Sequence, residues 1–194
     1  RGTMQPGNCG CPARHASPRL MRLLLDGCSA LRQAARMTHA ARPRRSALYM
    51  PASNAKAVAK ARTLMCDTVI LDLEDSVAPD RKEEARAAAV AAVREGGFGH
   101  REVVIRINAL DTPWGKSDLA AAAQSGADAI LVPKVNGPED IHACEAALSD
   151  ASPALRLWAM VETCACVFRL TEIAALGPST RLSLFVMGVN DLAK

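Results

Sequence analysis

The sequence predicts an α/β protein of the (β/α)8-barrel class, the TIM-barrel architecture, carried through about six of its strand–helix units. Three observations predict it. Short apolar runs alternate with helix-like stretches, as parallel strands joined by right-handed crossovers require. The runs are apolar throughout rather than alternating, which marks strands buried on both faces. Each run ends on polar residues: Val69–Asp75, Val103–Asn108, Ile130–Lys134, Leu157–Glu162 and Leu182–Asp191. In barrels the chemistry collects at those carboxyl ends, so the pattern points to an enzyme. A doubly wound sheet fits the alternation equally well, but its glycine-rich phosphate loop is missing after the first strand, where Met50-Pro-Ala-Ser-Asn54 stands.

The elements follow in order from Ser46. Ser46–Met50 reads as a strand and Asn54–Met65 as a helix rich in alanine and lysine, with Ser53 or Asn54 as its cap. Thr68–Leu73 is the second strand. The helix Asp80–Arg94 follows, with Asp80 as its expected cap, Lys82, Glu83, Glu84 and Arg86 as a solvated face, and Gly96-Gly97 as its stop. Then come strand Val103–Ile107, helix Lys116–Ser125, strand Ala129–Val132, helix Pro138–Leu148, strand Leu155–Val161, helix Cys164–Leu176 and strand Leu182–Val186. A complete barrel typically needs ~250 residues, and this chain has 194, so the expected object is a barrel lacking two closing units.

Residues 1–43 are expected to lie outside that barrel as a disordered or non-native extension, with residues 44–194 forming the incomplete catalytic domain. Arg1 to Arg45 holds nine arginines and one acid, Asp26, which accounts for the net charge of +4. A mitochondrial transit peptide has that composition; the favoured alternative is upstream translated sequence with Met37 as the start. Seven cysteines without a regular framework argue against a disulfide scaffold and for a reduced, cytoplasmic setting. With 3% aromatics and no basic patch interleaved with them, no nucleic-acid partner is expected. No apolar run approaches the ~20 residues of a membrane span, so no membrane partner is expected either.

The candidate site residues sit at the strand ends. Glu162 after the fifth strand and Asp191 after the sixth would lie together at the barrel mouth, where oxygen ligands with open positions suit Mg2+. Their alternative role is to cap the helices that follow. Arg106 lies inside an apolar run, and an unpaired buried guanidinium is costly. Two kinds of partner fit: a substrate carboxylate or enolate oxygen, or a structural salt bridge to Glu74 or Asp75. Asp72, Glu74 and Asp75 crowd the second strand end and require neutralisation by Arg106, Lys134 or a cation. Alternation puts Asp72 and Glu74 on one face, and Glu74 and Asp75 are expected to reach the mouth more readily than Asp72.

Several segments together resemble the HpcH/HpaI aldolase and citrate lyase β-subunit family, which includes malyl-CoA lyases. They are Arg44–Pro51, Leu71–Pro79 with Lys82 and Arg86, Val104–Asn108 with Thr112–Gly115 and Asp118-Leu119, Val132–Val135, Glu162-Thr163, and Gly188–Leu192. The resemblance implies a barrel of the phosphoenolpyruvate/pyruvate-domain type that makes or breaks a carbon–carbon bond by Claisen or aldol chemistry, with Mg2+ as cofactor. The implied substrate is an acyl-CoA such as citryl-CoA or malyl-CoA, or a small 2-keto or hydroxy acid. It further implies Glu162 and Asp191 as metal ligands, Arg106 as the residue that binds substrate and steadies the enolate, Glu74 and Asp75 as acids ordering the metal's waters, and Lys134 as a supporting cation for substrate. Tyr49 to Lys60 would flank the CoA entrance. A homotrimer or homohexamer is implied for the complete protein, with an acid from a neighbouring subunit entering the site in malyl-CoA lyases. Two positions depart from the family pattern: Ala52 and Cys166 stand where it usually has glycine.

Three functions follow in order of preference. The first is a Mg2+-dependent carbon–carbon lyase of the citryl- or malyl-CoA type. The second is a 2-keto-acid aldolase, for which a histidine base is usual, whereas His100 and His142 fall in a turn and a helix. The third is a non-catalytic remnant or partner-binding subunit.

Overall fold

The structure is a computed structural model that describes residues 42–193. The expectations for residues 1–41, including Met37, fall outside them. The β/α unit begins at Arg44. Its strands are β1 (Ala47–Pro51), β2 (Thr68–Asp72), β3 (Glu102–Arg106), β4 (Ala129–Val132), β5 (Arg156–Val161) and β6 (Leu182–Met187). The helices are α1 (Ala55–Ala61), α2 (Lys82–Glu95), α3 (Gly115–Ala123), α4 (Pro138–Ala147), α5 (Cys164–Phe168), α6 (Leu170–Ala174) and α7 (Val189–Leu192). All strand pairs are parallel, and the order in the sheet is the order in the chain, β1 to β6. A doubly wound sheet reverses its order at a switch point; this one never does. It is the open arc of a barrel, with β1 and β6 as its edges among the described residues.

Two apolar layers flank the sheet. The outer layer joins one face of the strands, Val69, Leu71, Val103, Ile105, Ile130, Leu157 and Ala159, to helix residues such as Ala85, Leu119 and Ile141. The inner layer holds strand residues alone: Ile70, Val104, Ala129, Leu131, Trp158 and Met160, with Leu184 and Val186 against them. Helices therefore cover one face, and the other is the barrel interior. The β5–β6 pairing skips Ser183, so Leu157 opposes Leu182 and Trp158 opposes Leu184. This bulge puts Leu182 in the outer layer and Leu184 in the inner one.

Element boundaries differ from expectation where side chains compete with the backbone. α1 ends at Ala61 rather than Met65, because the Thr63 hydroxyl donates to the Lys60 carbonyl at 2.8 Å and turns the chain. Asn54 caps α1 through Ala57 N–H at 3.0 Å. Asp80 does not cap α2; it lies in a 3-10 turn, Pro79–Arg81, that leads into it. Nor is the Lys82/Arg86 face solvated: Lys82 is buried and Arg86 reaches the buried Asp118 at 3.0 Å. Gly96 ends α2 with φ of 72°, a conformation open to glycine. The helix expected over Cys164–Leu176 is two, broken at Arg169, whose guanidinium pairs with Glu139 and Glu172.

Because Leu131 is fully buried in the inner layer and Phe168 is 89% exposed, Leu131→Ala should lower unfolding free energy by about 2–5 kcal/mol in urea titrations. Phe168→Ala should change it by less than about 0.5 kcal/mol.

Candidate functional site

Every inner-face position of β2 and β3 alternates with an outer one, so Asp72 shares the interior with Ile70, and Arg106 shares it with Val104. Register then sets Asp72 directly beside Arg106. The result is a buried bidentate pair, Nε to Oδ1 at 2.6 Å and Nη2 to Oδ2 at 2.7 Å. Asp72 also accepts from Glu74 N–H at 2.8 Å and from the Ser76 hydroxyl at 2.6 Å. Burial opposes the Asp72 charge, but the bonds from Arg106 and Ser76 outweigh it and hold the carboxyl below its ordinary range. Burial likewise opposes the Arg106 charge, and the Asp72 bonds again prevail and raise its pKa.

With Nε and Nη2 engaged by Asp72, Arg106 turns Nη1 toward the mouth. There it lies 3.0 Å from Glu74, 3.1 Å from Asp75 and 3.8 Å from Met160 Sδ. The Glu74 contact is an ion pair without hydrogen-bond alignment, since Glu74 Oε2 has no hydrogen-bond partner among the described residues. The Tyr49 ring lies 5.4 Å from the guanidinium carbon. Burial pushes the Glu74 carboxyl up to about 7, with Asp75 and Glu162 adding to the rise against the pull of Arg106 and Lys134. Asp75 is 65% exposed at the rim.

On the far side of Glu74 stands Lys134. Its φ is 52°, and it is the one non-glycine residue with positive φ among those described. A strained backbone of this kind costs of order 1 kcal/mol and persists where its surroundings enforce it. Here Lys134 N–H donates to Glu162 Oε1 at 2.7 Å, while Nζ lies 2.8 Å from Asp191, 3.5 Å from Glu74 and 3.8 Å from Glu162. Burial opposes this ammonium too, but the bond to Asp191 and the charges of Glu74 and Glu162 raise its pKa. Glu162 stands one residue past β5 with the inward parity of Met160, and Asp191 lies in α7, a helix that the strand pattern did not suggest. Glu162 can lie there because Gly188 leaves room: a Cβ on Gly188 would meet Glu162 Cβ at 2.5 Å and Oε2 at 2.8 Å.

Arg106, Glu74, Asp75, Lys134, Glu162 and Asp191 thus meet at one end of the arc. Among the described residues no three acidic, histidine or cysteine side chains already form a metal cage. Glu74, Glu162 and Asp191 are instead drawn around the Lys134 ammonium. Asp72, ranked behind its neighbours as a mouth residue, is the principal partner of Arg106; its parity with Ile70 was the signal. Three more residues shape the site without having been singled out for it. Lys82 Nζ donates to the Leu73 and Glu74 carbonyls, Asp118 accepts from Asn108 N–H and Nδ2, and Gly188 makes room for Glu162. His100 and His142 are exposed, in a turn before β3 and in α4. Cys166 is fully buried, and its N–H donates to the Thr163 hydroxyl that caps α5.

The model of the HpcH/HpaI aldolase/citrate lyase family matches residues 45–194. A (3S)-malyl-CoA thioesterase of Cereibacter sphaeroides is 46% identical over 158 residues, covering 81% of this chain and 53% of that protein. An L-malyl-CoA/beta-methylmalyl-CoA lyase of the same species is 36% identical over 162 residues, covering 79% and 50%. Among solved structures, the protein CitE of Mycobacterium tuberculosis in complex with magnesium, acetoacetate and coenzyme A superposes with a TM-score of 0.59 at 29% identity, covering 75% of this chain and 48% of that one. The chain spans about half the length of the curated relatives it matches.

Removing Asp72 strands a buried guanidinium that keeps only Glu74 and Asp75, so Asp72→Ala should destabilise the fold by about 3 kcal/mol, measured by denaturant unfolding. Asp75→Ala, at an exposed pair, should cost under about 1 kcal/mol. Equal losses would contradict the assignment of Asp72 as the principal partner.

Proposed function

Because the chain belongs to the HpcH/HpaI aldolase/citrate lyase family, we propose that its strand-end site, in the complete protein, binds Mg2+ and cleaves or forms a carbon–carbon bond in a β-hydroxyacyl-CoA. The observation that carries this reading is the Lys134 ammonium held by Glu74, Glu162 and Asp191 beside the Nη1 edge of Arg106. A donor set of carboxylate oxygens around a positive charge fits a hard divalent cation, with waters and substrate completing the shell. Glu162 and Asp191 would hold it, and Glu74 and Asp75 would order its waters. When bound, Mg2+ supplies charge that polarises a substrate oxygen. The magnesium complex of the Mycobacterium protein supports the choice of metal, and its coenzyme A supports a thioester substrate.

The residues of the chain divide the remaining work. Cleavage of a β-hydroxyacyl thioester takes the proton from the β-hydroxyl, turns its carbon into the carbonyl of the second product and moves the carbon–carbon electron pair onto the acyl group as an enolate, whose charge gathers on the thioester oxygen until the enolate carbon takes up a proton. Arg106 is built to receive it: Asp72 fixes the plane of the guanidinium and leaves Nη1 pointing at the mouth. A donor that needs no reorganisation as charge develops is worth several kcal/mol of barrier. Lys134 has its main chain on Glu162 and its side chain on Asp191, so it can orient one acid while exchanging its ammonium contacts for those of a substrate carboxylate. The proposal extends to a homo-oligomer in the cytoplasm, on the family resemblance and the composition of the chain alone.

Hydrolysis of malyl-CoA is a second reading, favoured by the 46% identity to the thioesterase. Product analysis separates the two. With malyl-CoA the complete protein should release acetyl-CoA and glyoxylate in equal amounts if it is a lyase. Malate and free CoA, with no acetyl-CoA, would give the thioesterase reading its place.

Glu162→Gln in the complete protein should lower Mg2+-dependent turnover by at least about a hundredfold. A full rate with unchanged Mg2+ dependence would overturn the ligand assignment. Lys134→Met removes a cation that competes for the same carboxylates, and should tighten Mn2+ binding by about fivefold, the upper end for a part-exposed ion pair. Weaker binding would show instead that Lys134 helps to build the cation site.

A further inference from the structure

Lys82 is the first residue of α2, a position where a positive charge opposes the helix dipole, and it is buried. Its Nζ donates to the carbonyls of Leu73 and Glu74, at 2.8 and 2.6 Å, across the carboxyl end of β2. The Trp114 ring lies 5.6 Å from the same ammonium. One turn along α2, Arg86 reaches Asp118 at 3.0 Å, and Asp118 in turn holds Asn108, two residues beyond Arg106. Two cations on one helix face therefore grip the ends of β2 and β3, just where those strands deliver Glu74 and Arg106.

We propose that Lys82 is a positioning residue for the cation site: by fixing the Leu73–Glu74 peptide from behind, it aims the Glu74 carboxylate at the point where Arg106 and Lys134 converge. The proposal rests on the Mg2+ reading and adds to it a residue that touches neither substrate nor metal. Glu74 lies past the end of β2, and its carbonyl accepts from Val77 N–H at 3.1 Å and from the Lys82 ammonium, which also takes the Leu73 carbonyl and so ties the two strand-end carbonyls to one point on α2. Burial depresses the Lys82 pKa, the cost of holding an ammonium against these carbonyls. An apolar side chain there would leave the Leu73 carbonyl without its ammonium and the Glu74 carbonyl with Val77 N–H alone, loosening the strand end that carries the Glu74 carboxylate.

The test is Mn2+ affinity of the complete protein by electron paramagnetic resonance, for wild type, Glu162→Gln, Lys82→Met, Lys82→Arg and Leu148→Ala. Loss of such an outer restraint should weaken Mn2+ about 10- to 100-fold in Lys82→Met, and Lys82→Arg, which keeps donors and charge, should recover most of it. Leu148→Ala should lower the melting temperature without weakening Mn2+, since Leu148 is buried in the outer layer beyond α4. If Lys82→Met does not fold, Lys82→Gln, which keeps N–H donors on a shorter side chain without the charge, is read in its place against the same threshold. Wild-type affinity in the Lys82 variant, or an equal loss in Leu148→Ala, overturns the positioning role while leaving the metal site standing. Absence of Mn2+ binding in wild type removes the metal reading, and this proposal falls with it.

Discussion

The site depends on one buried ion pair, Asp72 with Arg106. A guanidinium inside an apolar strand run is stable only if its charge is met, and parallel register sets the neighbouring strand's aspartate beside it. That placement has two consequences. It satisfies both members of the pair in a bidentate geometry, and it leaves a single guanidinium nitrogen, Nη1, facing the strand ends. Glu74 and Asp75 meet that nitrogen and the Tyr49 ring stacks over the guanidinium, so the side of the mouth that meets developing negative charge is built outward from the pair.

The opposite side is built around Lys134. Its left-handed backbone, the close approach of Gly188 and the inward parity of Glu162 are three local costs that make sense together. Each brings an acid or an amide to a place that ordinary backbone and an ordinary side chain would not reach. Between the two sides lies Glu74, touched by Arg106 and Lys134 alike, with its carboxyl pushed up to about 7 by burial. A carboxylate so poorly solvated is stabilised by any added positive charge, which is the electrostatic reason to expect a cation there.

Much of this was legible in the amino-acid pattern, and the rest was hidden for identifiable reasons. Period and composition located all six strands to within a residue or two, because strands buried on both faces leave unbroken apolar runs. Strand ends then pointed to the six candidate residues, which the fold does bring together. The dominance of Asp72 was missed, although its parity with Ile70 announced it, because register between strands is not written in either strand alone. Lys82 and Arg86 look like a solvated helix face next to Glu83 and Glu84, and only the fold shows that this stripe turns inward. The role of Gly188 is a matter of distance to Glu162, which no local pattern encodes. Helix ends were misplaced where Thr63 and Arg169 form side-chain bonds that break the backbone period.

Glu74, Glu162 and Asp191 surround the Lys134 ammonium, and the proposed function makes that place the cation site of the complete protein. Anomalous diffraction from crystals of the complete protein soaked with Mn2+ tests it most directly. One Mn2+ peak is expected within coordination distance of Glu162 and Asp191, with the Lys134 ammonium moved away from Asp191 and its main-chain N–H still on Glu162. A saturated crystal with no peak there, or a peak there with Lys134 still bonded to Asp191, would contradict it.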